Sequence, residues 1–185
     1  MSDEVFVIQA LPSGPDGFPY DEIVDIAVCM VDLENSTYKT VYHNVIFYDP
    51  KVLGKKKLDY LAGNGGIFAE EIYAGDPEKK VAEEVSDIIN GKNISAYDSR
   101  QVFGRYMTFD PWDITYRSTV MPSVSAKMPI SLKCRSPDEE PITIRKAYKR
   151  LLRNDPACVG TGRRAIHLAQ MSAELMIHMR GKGKY

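Results

Sequence analysis

Three strand-forming runs follow one another at the start of the chain with little between them, and this leaves few folds open. Residues 5–8, "VFVI", are continuously apolar; Gln9 interrupts the run, Ala10 and Leu11 follow, and Pro12-Ser13-Gly14 closes it with a turn. "DEIVDIAVCMVD" (21–32) alternates and then turns apolar through Ile23, Val24, Ile26, Val28, Met30 and Val31. "ENST" (34–37) is a turn, and "YKTVYHNVIFYDP" (38–50) is rich in β-branched and aromatic residues. Strands joined this closely pair antiparallel, because parallel neighbours need a crossover of a dozen or more residues. The chain therefore opens with a three-strand meander.

Beyond it the periodicity changes. Residues 51–77 carry Gly54, Gly63, Gly65, Gly66, Gly75 and Pro77 and read as irregular, with room for a short helix within 66–75. "DPEKKVAEEVSDIING" (76–91) is a helix, with Asp76 as cap, Pro77 at its first position, Val81, Val85, Ile88 and Ile89 on its apolar face and Gly91 ending it. "NISAYDS" (93–99) is a short strand and "RQVFGRYM" (100–107) starts a second helix. Residues 118–141 hold Pro122, Pro129, Pro137 and Pro141 and form a long irregular connection. Helices follow over 141–155 and 160–180, and 181–185, "GKGKY", is a mobile tail. A meander, then a strand reached through a helix, then more helices, makes a single α/β domain over 1–185: a mixed sheet flanked by helices, in the order of the ribonuclease-H-like folds.

Composition excludes several classes. Cys29, Cys134 and Cys158 are odd in number and lack metal-site spacing, and His43, His167 and His178 form no zinc motif, so neither a disulfide framework nor a zinc site is expected. No basic leader precedes an apolar stretch, and no apolar run nears the roughly 20 residues of a membrane span; a cytoplasmic protein without membrane contact is the expectation. The net charge is −1, yet residues 142–185 hold ten Lys or Arg against Asp155 and Glu174. Such asymmetry suits a surface facing nucleic acid, although helical surfaces are also often simply solvated by Lys and Arg.

Three segments together resemble the DEDDh 3′–5′ exonucleases, the family that includes the proofreading subunits of bacterial replicative polymerases. They are "VFVIQALPSG…DEIVDIAVCMVD", "NGGIFAEEIYAGDPEKKVAEEVSDIINGKNISAYDSRQVF" and "RRAIHLAQMSAELM". The resemblance covers most of the chain, in order, and implies a ribonuclease-H-like fold. In that family four carboxylates hold two divalent metal ions that stabilise an in-line displacement, and a histidine deprotonates the attacking water. Position by position, the first Asp falls on Gln9 and the paired Glu on Leu11. The His-Asn pair falls on Tyr97 and Asp98, the next Asp on Val102, the general-base His on Arg163 and the final Asp on His167. The framework is better matched than the chemistry.

The resemblance then implies a catalytically degenerate exonuclease-like protein, not an enzyme, with no catalytic residue, no metal ligand and no cofactor, Mg²⁺ or Mn²⁺ entering only through a residual site at Asp98 or Asp25. Arg100, Arg163 and Arg164 are the nucleic-acid-binding candidates. Arg163 and Arg164 oppose the dipole of the helix they begin, which favours an anionic partner. The partner is expected to be a single-stranded nucleic acid or a protein. An active exonuclease with displaced ligands and a purely structural scaffold remain alternatives, and the oligomeric state is open.

Overall fold

The computed structural model describes residues 4–133, 142–152 and 162–185. The meander is present as β1 (Glu4–Pro12), β2 (Ile23–Asp32) and β3 (Thr37–Val45). β1 pairs antiparallel with β2, and β2 with β3. β4 (Asn93–Ser95) adds parallel to the other side of β1, and β5 (Thr119–Val120) adds parallel to β4. The sheet order is β3-β2-β1-β4-β5. This is the mixed, helix-flanked α/β sheet that the sequence implies.

β1 lies at the centre, which explains its unbroken apolar run: a strand covered on both faces needs hydrophobic residues at every position. Val5 and Val7 pack on one face with Ala27, Cys29 and Val31 of β2, beneath α4 (Ile144–Leu151) and α5 (Ala165–Gly181). Phe6 and Ile8 pack on the other with Ile26, Val28 and Ile94, beneath α3 (Glu78–Ile89) and a π-helix, Arg100–Met107. Ala165, Ala169 and Ala173 are fully buried and let α5 approach the sheet closely.

The region read as irregular contains α1 (Pro50–Gly65) and α2 (Ala69–Tyr73). Asp49 caps α1 by accepting the Lys51 N–H at 2.9 Å, and Gly66 closes it in the left-handed region at φ 65°. Gly54 breaks the helical path at φ 77° and ψ 162°, so α1 shows no continuous 3.6-residue pattern. Asp76 does not cap α3; its carboxylate accepts instead from Asn44 and Lys80, both at 2.9 Å. Within 118–133 the connection contains β5 and two short 3₁₀ turns, Ser125–Lys127 and Ile130–Leu132. The rest of that connection, the end of the helix expected over 141–155 and the start of the one expected at 160 lie outside the described residues.

At the C-terminus, Gly181 still belongs to α5, and Tyr185, expected within a mobile tail, lies against the body. Its hydroxyl donates to Pro122 O at 3.3 Å, and Lys127 Nζ stands 5.7 Å from its ring centroid. None of the described helices is long and apolar enough to cross a membrane.

Gly75 joins α2 to α3 where the chain passes β3. A Cβ there would stand 2.6 Å from Val45 O and 2.8 Å from both Ile46 C and Phe47 N, all of it backbone. Gly75→Ala is expected to destabilise the fold by about 1–3 kcal/mol, the usual cost of overpacking, read as a lower urea midpoint at unchanged slope.

Candidate functional site

A cleft of about 780 Å³ opens where the end of β1, the π-helix, α1 and the start of α5 converge. Gln9 and Leu11 reach it because alternation along β1 turns 5, 7, 9 and 11 to the α5 side. Gln9 is 3% exposed, and its Nε2 donates to Ser172 Oγ at 3.2 Å, while that hydroxyl donates to Leu168 O at 2.7 Å. Leu11 packs between the sheet and the end of α1, beside Gly65.

Tyr97 and Asp98 follow β4. Tyr97 donates its hydroxyl to Ile142 O at 2.6 Å, and Asp98 Oδ1 accepts the Arg100 N–H at 3.0 Å, fastening the start of the π-helix. Val102 is buried one turn later and lines the cleft. Arg163 lines the opposite wall, where its Nη1 donates to Gly63 O at 2.9 Å.

Six of the seven positions matched to catalytic residues thus border one cleft: Gln9, Leu11, Tyr97, Asp98, Val102 and Arg163. His167 does not. Gly162 lies against its ring, so closely that a Cβ at 162 would stand 2.1 Å from Nδ1, and that nitrogen is buried with no hydrogen-bond partner among the described residues.

The arginine candidates separate. Arg100 is exposed and is not among the lining residues. Arg164 is committed within the fold: its Nε donates to Asp25 Oδ2 at 3.0 Å and its Nη1 to Glu71 Oε2 at 2.8 Å. The anion that answers this helix-start cation is therefore Asp25, which also accepts the Ala165 N–H at 2.9 Å and His43 Nε2 at 2.8 Å. Asp25 is fully buried. Burial raises its pKa, but the bonds from His43 and Ala165, with the charge of Arg164, outweigh it and hold the carboxyl below its usual value. A carboxylate used in this way is not open to a metal ion.

Other lining residues are not evident from the resemblance. Tyr60, Gly63 and Asn64 come from α1; Gln101, Arg105 and Tyr106 come from the π-helix; Arg145 comes from α4. Asp98, Gln101, Val102, Arg105 and Tyr106 recur at helical spacing, so that face was readable in the sequence. Arg105 Nη1 donates to Pro15 O at 2.8 Å, and the Tyr106 hydroxyl donates to Gly14 O at 3.2 Å. Burial, with Asp21 nearby, pushes the Tyr106 hydroxyl up to about 12, so it stays a neutral donor.

The described lining thus holds Arg105, Arg145 and Arg163 against one carboxylate, Asp98. Hard divalent cations need anionic oxygen ligands. Gln9 supplies only a neutral amide, Leu11 and Val102 supply hydrocarbon, and three guanidiniums repel a cation, so this donor set does not fit a pair of divalent ions. Among the described residues no group of three or more His, Cys, Asp or Glu is placed to hold a metal.

No protein-family model matches the sequence, and no curated protein sequence does. Solved structures do. Cell-death related nuclease 4 superposes with a TM-score of 0.68 at 14% identity, over 98% of this chain and 64% of that one. The nuclease domain of 3′hExo, a DEDDh family member bound to rAMP, gives 0.54 at 13% identity, over 98% and 94%. E. coli Exonuclease I in complex with a dT13 oligonucleotide gives 0.63 at 13% identity, over 96% and 41%. The chain has the fold of the DEDDh 3′-exonucleases.

The chain spans 62–65% of the length of the first three structures matched. The expectation that it is not an enzyme does not stand. The matched structures are exonucleases and a nuclease, and their fold runs over nearly the whole of this chain, so the replaced residues do not show that it lacks activity. The replaced residues describe individual positions of the cleft; they do not set the class of the protein.

Asp25→Ala is expected to cost about 3 kcal/mol, because it leaves Arg164 and His43 facing an uncompensated buried site; chemical denaturation measures it. Because its pKa is lowered by folding, the stability Asp25 contributes is complete above about pH 4, the usual value for an unfolded Asp. It is lost as pH falls from there through the lower folded value. Acid titrations of wild type and Asp25→Asn should converge in stability below that window.

Proposed function

We propose that the domain binds the single-stranded end of a nucleic acid in this cleft. The observation that carries the reading is the excess of guanidinium groups in the lining, Arg105, Arg145 and Arg163 against Asp98, beside the half-buried ring of Tyr60. Guanidiniums pair with backbone phosphates through forked donors, and tyrosine rings stack on bases of any identity. Among the described residues, neither Arg105, Arg145 nor Arg163 makes an ion pair, whereas the adjacent Arg164 makes two. Fold neighbours support the same ligand class. E. coli Exonuclease I was solved with dT13, and a 3′-exonuclease was solved in 3′-end specific recognition of a histone mRNA stem-loop. No comparable observation supports a protein partner.

Fluorescence anisotropy with labelled dT13 and its RNA counterpart tests the reading, in chelator so that the strands stay intact. Three phosphate contacts, at a slope of about −0.7 each, predict affinity falling roughly 20-fold from about 50 to about 200 mM salt. Replacing both Arg145 and Arg163 by Gln should weaken binding about tenfold at low salt and reduce the salt slope by about 1.4. Absence of binding by wild type at low salt would overturn the proposal.

A further inference from the structure

The mismatch between this cleft and a metal pair has a consequence for what the cleft prefers to hold. We infer that it takes a terminal phosphate monoester directly on guanidinium groups, with no divalent ion between protein and phosphate. The inference rests on the nucleic-acid-binding reading and deepens it.

In a cleft lined by several carboxylates, an incoming phosphate meets repulsion until metal ions neutralise it. Here the charges are reversed. The described lining carries three guanidiniums and one carboxylate, and that carboxylate already accepts a backbone N–H through Oδ1. Arg163 and Leu11 meet the same end of α1, at Gly63 and Gly65, so the guanidinium lies beside the β1 terminus where the resemblance expects paired acids. Arg105, from the π-helix, is held by Pro15 O. Each of these two arginines donates to the rim through Nη1, an anchor that orients the guanidinium, and among the described residues the rest of its five-donor fork is left for a ligand. The apolar and amide floor of Leu11, Val102 and Gln9 adds no negative charge.

This lining has an excess of two positive charges among its described residues. A phosphate diester within a strand brings one negative charge and two unesterified oxygens. A phosphate monoester at a strand end brings about −1.5 to −2 charges and three acceptor oxygens, which matches the cleft more fully. A hydroxyl-ended strand leaves part of the cationic wall facing water.

Anisotropy with internally labelled dT13 in three forms tests this in chelator: 3′-phosphorylated, 5′-phosphorylated and hydroxyl at both ends. One phosphorylated strand should bind at least about tenfold more tightly than the hydroxyl strand, the scale of added charge-assisted hydrogen bonds. Whichever end carries the effect identifies the end held. Inorganic phosphate should compete, and Mg²⁺ at matched ionic strength should not enhance the preference.

Arg163→Gln should reduce the preference to less than about twofold, with Arg163→Lys retaining part of it; Arg105→Gln, on the π-helix, gives an independent second variant. Thermal melts confirm that each variant is folded. If the hydroxyl strand binds but neither terminal phosphate changes its affinity by twofold, the inference is overturned while the binding reading survives. It is equally overturned if the preference appears only with Mg²⁺ or Mn²⁺. If no strand binds at low salt, both the reading and the inference fail.

Discussion

One buried carboxylate holds the helical layer to the sheet. Asp25, in the middle strand of the meander, ties His43 of β3, the first N–H of α5 and the guanidinium of Arg164, and through Arg164 it reaches Glu71 of α2. An isolated buried charge would be costly; this one is met from three directions, and its neighbours would be left unmatched without it. The same node gives α5 a negative charge at its N-terminus, where the macrodipole favours one. The cleft inherits its geometry from this attachment. With α5 fixed, Ser172 meets Gln9, Leu168 reaches the lining, and Arg163, one residue before Arg164, is carried onto the cleft wall.

Two neighbouring arginines therefore have opposite roles, and nothing in the dipeptide separates them. The sequence shows two cations at a helix start that conflict with the dipole. Resolving them requires knowing which face of β2 Asp25 occupies and where α2 places Glu71. Both are tertiary facts, created by strands and helices far apart in the chain. Local patterns were more readable: a continuous apolar run marked β1, alternation passing into an apolar run marked β2, β-branched and aromatic content marked β3, and 3.6-residue spacing marked α3 and α5. α1 was obscured because Gly54 interrupts its helical path and glycines crowd its end, although Asp49-Pro50 is a recognisable start. Its loss concealed Tyr60, Gly63 and Asn64 on the cleft wall. Asp76 looked like a cap and instead bonds Asn44 and Lys80, a choice made by the neighbouring β3 strand.

The positions matched to catalytic residues converge better than their identities suggest. Six of them border one cleft because strand alternation and helix placement fix where a Cβ points, whatever atoms follow it. Fold similarity at 12–14% identity reports this conserved placement and not the chemistry attached to it. For the same reason, residue-by-residue replacement could not establish that the protein is not an enzyme. Matching describes which atoms stand at corresponding positions, whereas activity belongs to the whole constellation and to any group that reaches the cleft from elsewhere.

On the proposed reading, electrostatics connects the shared shape to what the cleft recognises. A cleft built for metal-mediated contact needs anionic walls to concentrate divalent ions, and these walls then disfavour the bare ligand. In this cleft a neutral amide stands at Gln9 and hydrocarbon at Leu11, which raise no such barrier, and Arg163 supplies positive charge on the protein itself. On the proposed reading, the concave site serves a nucleic acid with fixed side chains, and not a dissociable ion, as the carrier of positive charge. Recognition, on that same reading, depends on ionic strength, and the favoured ligand is the one bringing most negative charge to the end of α1.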